Sequence, residues 1–148
     1  MMENKDAPIY RRVLLKLSGE ALQGDHLFGI DANKLAKIAT EVNGALQLGV
    51  QIALVIGGGN LIRGADLNAA GFDRISGDQM GMLATIINGL ALRDAFEKKG
   101  IPVTLTSSFG IPSLTEQYDR CHVKEKLERG HVVILSGGTG NPLVTTDS

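Results

Sequence analysis

Val50-Gln51-Ile52-Ala53-Leu54-Val55-Ile56-Gly57-Gly58-Gly59-Asn60 is the stretch that decides how this chain folds. Residues 50–56 are apolar almost throughout, without the alternation of a strand that faces water on one side. Such a strand is covered on both faces, as in a parallel sheet packed between helices. The triple glycine stops it. A second apolar run, residues 131–135, also leads into a glycine cluster, Gly137, Gly138 and Gly140. Glycine loops that directly follow strands leave bare backbone N–H groups at the strand ends, where ligands of open α/β sheets bind.

Working outward, residues 13–17 read as a first strand, Val13-Leu14-Leu15-Lys16-Leu17, followed by Ser18-Gly19 and an aperiodic loop over 24–29. Asp31 is placed to cap a helix in which Leu35, Ile38, Ala39, Val42, Ala45, Leu46 and Leu48 recur at helical spacing, with Gly49 to stop it. Residues 79–99 predict a long helix whose apolar face carries Met80, Leu83, Ala84, Ile87, Leu90, Ala91 and Ala95. Residues 101–106 and 131–135 read as further strands, with a short helix over 122–129 between them. Strands alternating with helices predict a single α/β domain over 1–148, with a mainly parallel sheet flanked by helices.

Composition narrows the function. The chain has 148 residues, 43% hydrophobic and 21% charged, which excludes disorder and fibrous repeats. A formal charge of −1 gives no electrostatic footprint for nucleic acid or an anionic membrane, so neither is an expected partner. The apolar runs are strand-sized and too short to span a bilayer, and residues 1–12 do not resemble a secretory signal, so a cytoplasmic location is expected. The single cysteine, Cys121, excludes a disulfide framework and is expected to pack in the interior. His26, His122 and His131 lack metal-ligand spacing, so no protein metal site is expected.

Neither the P-loop nor the G-x-G-x-x-G fingerprint occurs. What remains are glycine loops that approach an anion closely, with cations nearby, which is the chemistry of phosphate binding. A lone glycine at a strand end needs only a tight turn to explain it. Lys16, inside an apolar strand, either reaches solvent from a sheet edge or supplies a mobile point charge to a phosphoryl group. Arg63 is a surface arginine or a fork of donors for phosphate oxygens. Asp78, in Gly77-Asp78-Gln79-Met80-Gly81, either caps the long helix or accepts hydrogen bonds from a vicinal diol. Asp147 either caps a helix or holds a metal or lysine beside the phosphates.

Taken together, Lys16-Leu17-Ser18-Gly19-Glu20, the run from Gly57 to Gly64, the run from Gly77 to Thr85, and Gly138-Thr139-Gly140-Asn141-Pro142 through Thr145-Thr146-Asp147 resemble the bacterial UMP kinases of the amino-acid kinase superfamily. The motifs occur in order along almost the whole chain. The resemblance implies a three-layer sandwich, transfer of the γ-phosphoryl group of ATP to UMP, and Mg2+ with the ATP. It also implies a cytoplasmic homohexamer in pyrimidine nucleotide synthesis, with activation by GTP and inhibition by UTP.

Carried over residue by residue, the resemblance gives Lys16, Leu17, Ser18, Gly19, Gly59 and Arg63 to ATP. It gives Gly58, Asp78, Thr139, Gly140, Asn141, Pro142, Leu143, Val144, Thr145 and Thr146 to UMP. Lys16, Arg63 and Asp147 would form the catalytic set. Some positions depart from the pattern: Gly138 stands for alanine, Leu143-Val144 for two phenylalanines, Gln79 for histidine, and Leu27 for a glycine in the segment associated with GTP.

Family members continue beyond Asp147 into a second half that completes the ATP site. This chain is therefore expected to be the N-terminal, acceptor-binding portion, with its C-terminal part missing and with an exposed sheet edge and apolar face. Two other readings stay open: a superfamily kinase acting on a carboxylate or carbamate, and a non-catalytic nucleotide-binding module.

Overall fold

The computed structural model describes residues 7–144. The chain order is β1 (Arg12–Leu17), α1 (Ala32–Gln47), β2 (Gln51–Ile56), α2 (Gly64–Ala69), α3 (Arg74–Lys98), β3 (Val103–Ser107), β4 (Glu116–Gln117), α4 (Arg120–Glu128) and β5 (Val132–Ser136). All four strand pairings are parallel, in the order β1-β2-β5-β3-β4. This is the mainly parallel sheet that the unbroken apolar strands predict. No helix among the described residues is long and apolar enough to cross a membrane.

The sheet buries both faces because successive side chains point to opposite sides. Ile52, Leu54 and Ile56 of β2, Val132 and Ile134 of β5 and Leu105 of β3 pack under α1 and α3, against Ala39, Val42, Leu92, Ala95 and the fully buried Phe96. Ala53, Val133 and Leu135 face the other way, onto Val123 and Leu127 of α4. Two helical layers thus enclose β2 and β5, the strands that lead into the glycine loops. Burying each large aliphatic or aromatic side chain contributes about 1.5–3 kcal/mol, so these two strands rest on the best-packed part of the chain.

Asp31 caps α1 as its position predicts, and Asp119 caps α4 in the same way. Asp31 accepts from the Lys34 N–H at 2.9 Å, and Asp119 accepts from the His122 N–H at 2.8 Å. Gly49, just after α1, adopts a left-handed φ of 81°.

Three expectations need correction. The long helix begins at Arg74, where Asp73 accepts from the N–H groups of Ile75 and Ser76; Asp78 is therefore inside the helix and caps nothing. Ser76 and Gly77 are weak helix formers that read as a break, but a cap upstream carries the helix through them. The buried face of α3 is also rotated: Met82, Thr85, Ile86, Asn88, Gly89, Leu92 and Phe96 are inside, while Leu83 and Ile87 are half exposed. A helix apolar nearly all round gives periodicity nothing to discriminate. Cys121 is exposed on α4 and packs in no core.

β1 lies at one edge of the sheet, with Leu14 62% exposed. A hollow of about 460 Å3 runs beside it, lined by Val13, Leu15, Leu17, Ile38, Val42 and Ile52. Its lining is apolar apart from Tyr10 and the carboxylate of Glu41, with no cation, so it is poorly suited to a phosphate.

At the start of β5, His131 lies 3.3 Å from the Thr104 hydroxyl. Burial, with Lys126 and Arg129 adding to it, lowers its pKa below the usual 6.5, and Glu116 opposes the shift. The unfolded chain then binds the proton more readily, so this group's contribution is present above the usual value and is lost as pH falls through it. Thermal melts between about pH 7.5 and 5.5 should show stability falling on acidification, with a shallower fall in His131→Gln.

Candidate functional site

The site is built at the carboxyl ends of β1, β2 and β5. The loop after β1 packs directly on the loop after β2: the Gly57 N–H donates to the Leu17 carbonyl at 2.9 Å. A Cβ on Gly19 would stand 2.6 Å from the Gly59 nitrogen and 2.5 Å from Asn60 Oδ1, which only glycine avoids. Gly58 is held from the other side. A Cβ there would lie 2.8 Å from the Ala84 Cβ and 3.1 Å from the Gly81 carbonyl oxygen of α3. These glycines are required by close approach of backbones, which is what a loop presenting its amides needs.

The loop after β5 reaches the same helix. Gly137, Gly138 and Gly140 all take left-handed φ values, and the Gly137 N–H donates to the Thr85 hydroxyl at 2.8 Å. Farther on, the Leu143 N–H donates to Asp78 Oδ2 at 2.7 Å. Asp78, Gly81, Thr85 and Asn88 follow one another at spacings of three and four, so they lie along one face of α3. That face holds both glycine loops. Asn88 completes it by donating to the Gly57 carbonyl at 2.8 Å.

Between the loops lies a cavity of about 260 Å3, lined by Gly58, Gly59, Ile62, Asp78, Gly81 and Val144. Its walls are five glycines, with Gly64 and Gly77 beside those named, the Asp78 carboxylate and two aliphatic side chains. A neighbouring crevice of about 410 Å3 is rich in hydroxyls, from Ser107, Ser108, Ser136 and Thr139, with Tyr118 and Leu135. The two flank the Gly137 loop, one suited to an anion and a diol, the other to neutral polar groups.

The cations stand at the same end of the molecule. Arg63 is the residue before α2 and donates from Nε to the Gly59 carbonyl at 3.3 Å. Lys16 pairs in register with Val55, one residue before the end of β1. By the alternation of the strand it shares a face with Leu14, opposite the layer of α1 and α3. Ser18 and Gly19 follow at the strand end. Thr139, Gly140, Asn141, Pro142, Leu143 and Val144 form the turn that ends on Asp78. Thr145, Thr146 and Asp147 lie outside the described residues, and among the described residues no group of three or more His, Cys, Asp or Glu could hold a metal ion.

Three structural members of this site have no separate role assigned from the sequence alone. Asn60 and Asn88 pair side chain to side chain, and both are buried, as is Thr85. For Thr85 and Asn88 the signal is a pair of polar residues, three apart, inside the apolar middle of the long helix. Glu20 is the other omission of consequence: its carboxylate lies against Gly59, 2.5 Å from where a Cβ would be.

Comparison with known proteins agrees with this arrangement. Residues 11–147 match the model of the amino acid kinase family. The chain is 56% identical over 145 residues to a uridylate kinase of Marinobacter nauticus, covering 98% of this chain and 60% of that protein. It is 56% identical over 147 residues to a uridylate kinase of Coxiella burnetii, covering 99% of this chain and 60% of that protein. The crystal structure of a UMP kinase from Bacillus anthracis superposes with a TM-score of 0.87 at 39% identity, over 93% of this chain and 57% of that one. A UMP kinase from Ureaplasma parvum gives 0.86 at 32% identity, over 93% and 58%. The chain thus spans about 60% of the length of the curated relatives it matches. Five parallel strands, helices on both faces and a match over nearly every described residue have one conclusion: the chain belongs to the amino acid kinase family.

Proposed function

We propose that this chain is the acceptor-nucleotide-binding portion of a UMP kinase, which transfers the γ-phosphoryl group of ATP to UMP and yields UDP and ADP. The observation that carries this reading is the single face of α3 that holds both glycine loops around a cavity with Asp78 in its wall. The uridylate kinases it resembles support the same acceptor.

In this reading the amides of Gly58 and Gly59 surround phosphate oxygens, and Arg63 neutralises charge on the group in flight together with Lys16. Asp78 and residues 139–146 hold the nucleoside, and Leu17, Ser18 and Gly19 lie along ATP. An oxygen of the UMP phosphate attacks the γ-phosphorus while the bond to the β,γ-bridging oxygen breaks. The electron pair leaves with ADP. No covalent enzyme intermediate is needed, and the barrier falls through positioning and charge stabilisation.

Mg2+ would arrive with ATP, coordinated chiefly by phosphate oxygens and partly neutralising them. The described residues form no carboxylate cage for it, and Asp147 is the candidate neighbour of that charge. A cytoplasmic location and a single domain over 1–148 belong to the same reading. So do homohexameric assembly and control by GTP and UTP; the half-exposed Leu83 and Ile87 on the outer face of α3 support a self-association surface.

Calorimetric titration tests the acceptor. UMP should bind the 148-residue chain and be displaced poorly by CMP, carbamate or acetylglutamate. Tighter binding of a carbamate or carboxylate than of UMP would refute a nucleotide acceptor. Binding of UMP with no ATP binding, even when the remainder of a family chain is supplied, would make the chain a non-catalytic module.

A further inference from the structure

The amides and cations assigned to the nucleotide do not account for two polar side chains in the interior of α3. Thr85 and Asn88 are each 0% exposed, in a helix whose other buried positions are apolar or glycine. A buried hydroxyl or carboxamide is costly unless its hydrogen bonds are made. Here every one is made to a loop or to the helix itself. Asn88 Nδ2 donates to the Gly57 carbonyl at 2.8 Å and to Asn60 Oδ1 at 2.7 Å. Asn60 Nδ2 returns to Asn88 Oδ1 at 3.1 Å and reaches the Gly29 carbonyl at 2.9 Å. The Thr85 hydroxyl accepts from the Gly137 N–H at 2.8 Å and donates to the Met82 carbonyl at 2.7 Å.

The two residues are three apart, hence neighbours on one helix face. The loop after β2 and the loop after β5 are therefore tied to adjacent points on one rigid element, although they come from strands far apart in sequence. An apolar side chain at either position would leave a loop backbone group unpaired.

We propose that Thr85 and Asn88 are positioning residues that fix the spacing between the phosphate loop, Gly57 to Gly59, and the nucleoside loop that begins at Gly137. This rests on the reading of the two loops given under Proposed function. A ligand that spans both loops gains from the fixed spacing, because the second contact is made without further ordering. A ligand that touches one loop gains nothing. UMP spans both; uridine and inorganic phosphate each touch one.

The test uses Thr85→Val, Asn88→Ala and Thr85→Ser in the whole 148-residue chain, with amide exchange in the free protein and titration of UMP, uridine and inorganic phosphate. In Thr85→Val the Gly137 amide should exchange about tenfold faster or more. UMP affinity should fall about tenfold while uridine and phosphate change by less than about twofold. Thr85→Ser, which keeps the hydroxyl, should restore UMP binding. Asn88→Ala should give the same UMP-selective loss, with shifted amide resonances at Gly57 to Gly59.

Equal weakening of all three ligands, or an unchanged Gly137 amide in Thr85→Val, would overturn the proposal. If the unmodified chain fails to bind UMP, the acceptor assignment is what fails, and the amide exchange still decides whether the loops are tied. Should the variants not fold, the wild-type protein suffices: carboxamide protons of Asn88 exchanging as fast as those of exposed Asn68 would show that the tie does not exist.

Discussion

Gly58→Ala is expected to lose UMP binding almost completely and to destabilise the fold by about 1–3 kcal/mol. The added methyl would stand 2.8 Å from the Ala84 Cβ and 3.1 Å from the Gly81 carbonyl oxygen. Neither neighbour is the free end of a flexible side chain. Ala84 is fully buried and Gly81 contributes helix backbone, so the loop must move away from α3. That movement also opens the Asn88 bond to Gly57 and shifts the amides that face the cavity. Urea unfolding measures the stability term, and UMP titration at a temperature where the variant remains folded measures the other. Gly44→Ala on α1 is the control: nothing lies within 4 Å of a Cβ there and it lines no part of the cavity, so UMP binding should not change and stability should not fall.

Asp78→Ala should weaken UMP by between about tenfold and a hundredfold, equivalent to about 1.4–2.8 kcal/mol. One carboxylate oxygen takes the Leu143 N–H at 2.7 Å, a charge-assisted bond that pins the far end of the nucleoside loop. The second oxygen is left for a diol of the ligand. Asp78→Asn separates the two roles. An amide keeps one acceptor for Leu143, so the loop should stay pinned and protected from exchange, while a ligand diol loses its anionic acceptor. The asparagine variant is therefore expected to bind UMP more weakly than wild type yet better than the alanine variant. Global stability should barely change in either, because Asp78 is not the helix cap; Asp73 is.

Much of this was legible in the residues themselves. The strand from Gln51 to Ile56 was plain because it is apolar on both faces, and only a parallel sheet between helices asks for that. The glycine clusters marked the strand ends, and the sheet order then brought them to one edge of the molecule. Asp31 lies where its capping chemistry puts it.

Other features depend on contacts between residues distant in the chain, and no local pattern carries those. Asp78 lies beside a plausible helix start, so its partner across 65 residues of sequence could not be read. The inward face of α3 was misjudged for the same reason: Thr85 and Asn88 look like outward-facing residues until the loops that satisfy them are in place. Short α2 and the two-residue β4 leave almost no periodic signal. Lys16 was identifiable as unusual within an apolar strand, and its edge position made both readings of it reasonable until the register with Val55 placed it beside the glycine loop.

The central claim is that one mononucleotide sits between the two glycine loops on the face of α3. The direct measurement is a UMP titration of the isotopically labelled chain, followed at every backbone amide. Large, saturating changes should cluster at Gly57 to Gly59, at Gly137 to Leu143 and along Asp78 to Thr85, with little effect in the aliphatic hollow beside β1. Changes confined to that hollow, or to one glycine loop with the other silent, would contradict the account.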